Sequence, residues 1–160
     1  MVVKRMIVSL LLACMLVATA SAATAAESAS PGNTAPLTSP PPVEVQPFSV
    51  WDPNHVYLDT GWSVASDNGN HVFKVDVTTV ASTTVSQIGA KLYIEKWTGS
   101  TWALVGSVIN LQTTNRDDYV GSHSQVVLGG YYYRARTIHW IQQGAVYEEG
   151  QIVGGSVYVN

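Results

Sequence analysis

From Val56 to Asn160 the apolar residues recur with the period of a β-strand, and no segment sustains a helical repeat. The pattern predicts strands at about Tyr57–Ala65, His71–Val80, Gln87–Trp97, Trp102–Leu111, Tyr119–Leu128, Tyr131–Ile141 and Ala145–Val153, the last running on to Ser156–Val159. In His71–Val80, for example, Phe73, Val75 and Val77 alternate with Lys74 and Asp76, so one face is built to be buried. Asp67-Asn68-Gly69-Asn70 and Thr98-Gly99-Ser100-Thr101 carry the residues that tight turns need. About seven short strands with Gly, Asn and Ser punctuation predict an all-β fold: an antiparallel β-sandwich of the immunoglobulin or fibronectin type III kind. Gly129-Gly130 leading into Tyr131-Tyr132-Tyr133 adds to that expectation. Tyr133, on one face with Ala135 and Thr137, is the candidate for a corner tyrosine whose hydroxyl ties back to upstream backbone.

The N-terminus is patterned differently. Lys4-Arg5 precede an apolar run from Met6 to Ala18, and small residues follow, so residues 1–25 read as a signal peptide. Ala20-Ser21-Ala22 and Ala23-Thr24-Ala25 both satisfy the cleavage grammar, leaving the cut after Ala22 or Ala25 open. The run is shorter than the roughly 20 apolar residues of a membrane-spanning helix, so the expectation is a secreted protein with no span after cleavage. Cys14, the single cysteine, sits in Leu11-Leu12-Ala13-Cys14, a string like a lipoprotein box. The apolar run continues past it through Met15-Leu16-Val17, which favours ordinary cleavage and a mature chain without a disulfide. Residues 26–53 hold the remaining distinctive stretch, rich in Pro, Ser and Thr. Six of the seven prolines lie between Glu27 and Pro47, and Ser39-Pro40-Pro41-Pro42 reads as extended polyproline-like chain in a disordered leader. The folded domain is expected over residues 54–160.

Charge narrows the partners. The chain carries 8 Lys and Arg against 11 Asp and Glu, a net −3, and loss of Lys4 and Arg5 with the signal peptide leaves −5. Nucleic acid and anionic membranes want clustered Lys and Arg, so neither is an expected partner. Catalytic grammar is absent. His55, His71, His123 and His139 are far apart in sequence and lack the spacing of a zinc site. Asp67-Asn68-Gly69-Asn70 and Arg116-Asp117-Asp118 are oxygen-rich, but neither has a fixed calcium-ligand pattern. Gly61-Trp62-Ser63 and Gly121-Ser122-His123-Ser124 lack the strand-to-helix context of a nucleophile elbow. Glu148 and Glu149 are neighbours on a strand and point to opposite faces. The sequence therefore assigns no catalytic residue, no metal ligand and no cofactor.

The hairpin at Thr98–Thr101 is more informative. A four-residue loop there pairs Trp97 with Trp102, Glu95 with Leu104, Tyr93 with Gly106 and Lys91 with Val108. Ile88, Ala90, Leu92 and Ile94 then form the core face, and Tyr93, Trp97 and Trp102 look outward beside charged residues. If Tyr131–Ile141 lies next to Gln87–Trp97, it adds Tyr132, Arg134 and Arg136 to that outer face. Tyr93, Trp97, Trp102, Tyr132, Arg134 and Arg136 are the candidate binding residues. Exposed aromatic patches often meet a partner, although a Trp97–Trp102 pair can equally serve sheet stability.

Residues 88–102, IGAKLYIEKWTGSTW, with Gly130-Tyr131-Tyr132-Tyr133-Arg134-Ala135-Arg136 resemble small secreted single-domain β proteins of Gram-positive bacteria. The resemblance spans about Thr60 to Val146 and implies a location and a fold, with no active site. The function expected is a non-catalytic binding or surface-interaction module for an extracellular glycan or protein. The alternatives are a self-associating coat or matrix subunit, with Gln151–Val159 as a pairing edge, and an exported hydrolase.

Overall fold

A computed structural model describes residues 35–43 and 52–160. The expected signal peptide, its cleavage site and Cys14 lie outside the described residues. These form an all-β chain of seven strands: β1 Leu58–Asp67, β2 Val72–Trp97, β3 Trp102–Leu104, β4 Ile109–Val126, β5 Tyr131–Gln143, β6 Val146–Val153 and β7 Val157–Val159. No helix among them is long and apolar enough to cross a membrane.

Every pairing is antiparallel, and all seven strands belong to one sheet in the order β1-β2-β5-β6, with β3 and β4 on β2 and β7 on β5. The partition of strands differs from the one the hydrophobic pattern predicts. Two expected strands are fused in the 26-residue β2. Ala81-Ser82-Thr83-Thr84-Val85-Ser86 holds no Gly, Pro, Asn or Asp to make a turn, so the chain stays extended and takes up the change of direction as a register shift between Val80 and Val85. Arg116-Asp117-Asp118 is likewise strand rather than loop, inside the 18-residue β4. The expected strand Trp102–Leu111 is broken instead. Gly106 sits at φ 72°, and the chain loops out there, so Lys91 pairs with Asn110 rather than Val108.

Because β2 and β4 run through the bend, one sheet curls on itself and no second sheet is needed. The first half of β2 lies between β1 and β4, the second between β4 and β5. β1 and β5 do not pair but meet across the interior, where the Thr137 hydroxyl donates to Ser63 Oγ at 3.0 Å. Two apolar clusters fill the curl. Phe73, Val75, Val77, Leu92, Ile94 and Tyr133 belong to one, and Leu58, Val85, Ile88, Ile141 and Ile152 to the other. The corner expected at Tyr133 is formed, its hydroxyl donating to the Leu128 carbonyl at 2.8 Å.

A small polar layer also lies in the interior. His139 is 0 % exposed, with Nδ1 2.8 Å from the Thr79 hydroxyl, which itself donates to the Gly89 carbonyl at 3.1 Å. Since that hydroxyl has one proton, His139 must be the donor through Nδ1–H, and Nε2 is buried without a partner among the described residues. The ring needs Gly61 beside it, for a Cβ there would stand 2.6 Å from its Cγ and Nδ1. Gly61→Ala is therefore expected to lower stability by about 1–3 kcal/mol, the usual cost of overpacking. Chemical denaturation measures it, and an unchanged midpoint contradicts the contact.

Leader residues 35–43 lie against the domain. The sequence pattern gives this stretch no order of its own, and what order it has comes from contacts with the sheet. The Leu37 N–H donates to the Gly130 carbonyl at 2.8 Å and the Trp97 indole N–H to the Ser39 carbonyl at 3.0 Å.

Candidate functional site

Strand alternation sends Tyr93, Glu95 and Trp97 of β2 to one face and Arg134 and Arg136 of β5 to the same face. The register places Tyr93 opposite Arg136 and Glu95 opposite Arg134, while the hairpin places Trp97 opposite Trp102. The result is a stack with a carboxylate at its centre. Glu95, 8 % exposed, accepts from Arg134 Nε through Oε2 and from Arg136 Nε through Oε1, each at 2.8 Å. Each guanidinium also lies over a ring: Arg134 is 4.3 Å from the Trp102 centroid and Arg136 is 3.7 Å from that of Tyr93. Trp97 and Trp102 meet at 5.3 Å with a 55° tilt. The rings stabilise the guanidinium charges laid over them through their negative faces.

Five of the six candidate residues are thus brought into one cluster. Tyr132 stands on the same face but stacks on Tyr158 of β7, at 5.3 Å. Trp97 is only 7 % exposed, covered in part by the leader, and presents little ring to a ligand. Arg136 is the most available cation of the cluster. Its side chain is 26 % exposed, its Nε is held by Glu95, and its terminal nitrogens have no hydrogen-bond acceptor among the described residues.

The sequence reading missed two parts of this surface and a groove beside it. Glu95 was legible only once β5 was placed beside β2, because its partners are 39 and 41 residues away. Farther along the same face, the Lys91 ammonium donates to the Tyr147 hydroxyl at 3.1 Å, Tyr147 donates to Glu149 at 2.6 Å, and its ring stacks on Trp140. An apolar groove of about 530 Å³ also opens beside the hairpin, lined by Leu104, Val105, Val126, Leu128, Tyr133 and Lys96. Val126 and Leu128 at its rim are 74 % and 64 % exposed.

His139 is the one buried histidine, and the described residues hold no group of three or more His, Cys, Asp or Glu able to share a metal ion. Glu148 and Glu149 diverge, the first turned inward onto backbone N–H groups at the start of β1 and the second outward to Tyr147. Compared with known proteins, the chain matches no family model, no curated protein and no solved structure.

Proposed function

We propose that the chain is an exported, non-catalytic interaction module of a Gram-positive bacterium, secreted by its signal peptide and binding an extracellular glycan or protein through the outer face of β2 and β5. The curled sheet is then a sandwich of the immunoglobulin kind whose layers share β2 and β4, a reading that the Tyr133 corner supports. The observation that carries the function is Arg136. A guanidinium fixed by Glu95 and Tyr93, with its terminal nitrogens unclaimed among the described residues, can donate to a ligand oxygen at little ordering cost. Tyr93 beside it offers a ring for an apolar or sugar face.

Arg136→Ala is expected to keep the fold and to cut capture by at least tenfold when the chain is passed over cell-wall material, host glycans and medium proteins. Retained capture by the folded variant rejects this face as the binding surface. A second reading has one specific observation in its favour. Among the described residues β4 pairs only with β2, which leaves its other edge open to pair with a second copy. Sedimentation at rising concentration separates the two, since a strict monomer counts against assembly.

A further inference from the structure

The leader makes more specific contacts than a spacer needs. The chain bends at Leu37 and Thr38, and the Leu37 N–H donates to the Gly130 carbonyl at 2.8 Å. Two residues on, the Ser39 carbonyl accepts from the Trp97 indole at 3.0 Å. Between them Thr38 is half-buried and lies over Gly99, where a Cβ would stand 3.7 Å from its methyl, while a Cβ on Gly130 would stand 3.0 Å from Leu37. Both glycines have positive φ, 99° and 84°, so the turns require them as well. Directly after Ser39 come Pro40-Pro41-Pro42, with Pro41 half-buried.

An indole N–H aimed at the carbonyl before a proline run is how an aromatic-lined groove holds a polyproline-type chain. Such a chain has free carbonyls and little entropy left to lose. We infer that the edge formed by Trp97, Gly99 and Gly130 is a binding site for extended proline-rich peptide, with an apolar residue two positions before a Ser-Pro-Pro, and that residues 37–42 are its tethered occupant. An outside ligand of the same chemistry binds by displacing the leader. The inference rests on the interaction-module reading only in expecting such an outside ligand, and although Trp97 belongs to the outer cluster, none of the leader contacts involves Arg136.

The tether sets the scale. Covalent attachment a few residues away presents a segment at an effective concentration of about 1 mM, so a leader that stays docked implies an affinity in trans of about 1 mM or tighter. The test uses the full chain, ¹⁵N-labelled, with the leader contact broken by Leu37→Gly, Pro40→Gly and Pro41→Gly. The probe is an unlabelled peptide of residues 35–43, Ala-Pro-Leu-Thr-Ser-Pro-Pro-Pro-Val. In the broken-leader chain the Trp97 indole resonance should move, and the peptide should restore it saturably, while a peptide with alanine for every proline should bind at least tenfold more weakly. The unaltered chain should respond at least tenfold less, because its site is filled. An indole resonance indifferent to the leader substitutions, or a folded broken-leader chain that ignores the peptide at several times that concentration, overturns the inference.

Should the triple variant not fold, Trp97→Phe in the unaltered leader gives the decisive reading. It removes one donor, and hydrogen exchange at the Leu37 amide should accelerate at least tenfold; unchanged exchange sinks the proposal. Failure here with capture still dependent on Arg136 leaves the interaction-module reading standing. Peptide binding with no dependence of capture on Arg136 does the reverse.

Discussion

Lowering the pH from 6.5 to 4 is expected to remove about 3 kcal/mol of stability through His139 alone, at about 1.4 kcal/mol for each unit of pKa difference. Burial drives its pKa down from 6.5 to about 4, and no charged neighbour contributes. The unfolded chain takes up the proton near 6.5, while the folded chain resists until about 4. Within that window the unfolded state binds more protons, so stability falls as the pH falls. Above it neither state is protonated, and below it both are, so this group adds no further loss. Urea unfolding across the window measures the slope, and His139→Leu should flatten it. An equally steep slope in that variant assigns the acid sensitivity elsewhere.

Glu148→Ala is expected to cost about 3 kcal/mol, because it strips the acceptor from several backbone donors at once. The carboxylate, 8 % exposed, accepts from the N–H groups of Val56, Tyr57 and Leu58 at 2.6, 2.9 and 2.6 Å. Leu58 is buried, so its N–H has no water to turn to, whereas Val56 is exposed and can be rehydrated. Burial pushes the Glu148 carboxyl up, but the three N–H donors together outweigh it and hold the group below its ordinary 4.5. Its contribution is complete above that value and is lost as the pH falls through the depressed one, a window more acidic than that of His139. Glu148→Gln should lose about half as much, since its amide oxygen still accepts while its NH₂ faces another donor. Equilibrium unfolding at pH 7 gives both numbers, and a loss under about 1 kcal/mol for the alanine variant contradicts the clasp.

The outer cluster was legible in outline. The turn at Thr98–Thr101 fixes the hairpin register, and period-two alternation then sends Tyr93 and Trp97 outward together. Glu95 was not legible as the centre of the cluster. Its role depends on which strand lies alongside β2, and a single sequence encodes that choice only through many weak contacts. His139 shows the same limit from inside. On the strand it alternates with Ile138 and Trp140 like any residue of β5, and its burial became clear only when Gly61 and Thr79 of other strands closed over it.

The leader carries the contrast furthest. A proline-rich segment with few apolar residues cannot build a core, and composition alone makes it a spacer. Its order in the structure comes from outside: the Trp97 indole and the Gly130 carbonyl supply the hydrogen bonds that its own residues cannot make to each other. By itself the sequence determined the all-β character, the turn at Thr98–Thr101, the Tyr133 corner and the pairing of Trp97 with Trp102, because each is set by alternation or by neighbours close along the chain. Only the tertiary structure decided that β2 and β4 run unbroken through the bend, that Glu95 is shared by two arginines, and that Glu148 clasps the start of β1. The Glu95 and Glu148 contacts join residues 39 to 92 positions apart, and folding selects such features by burial and hydrogen-bond satisfaction across the whole sheet, which no local pattern encodes.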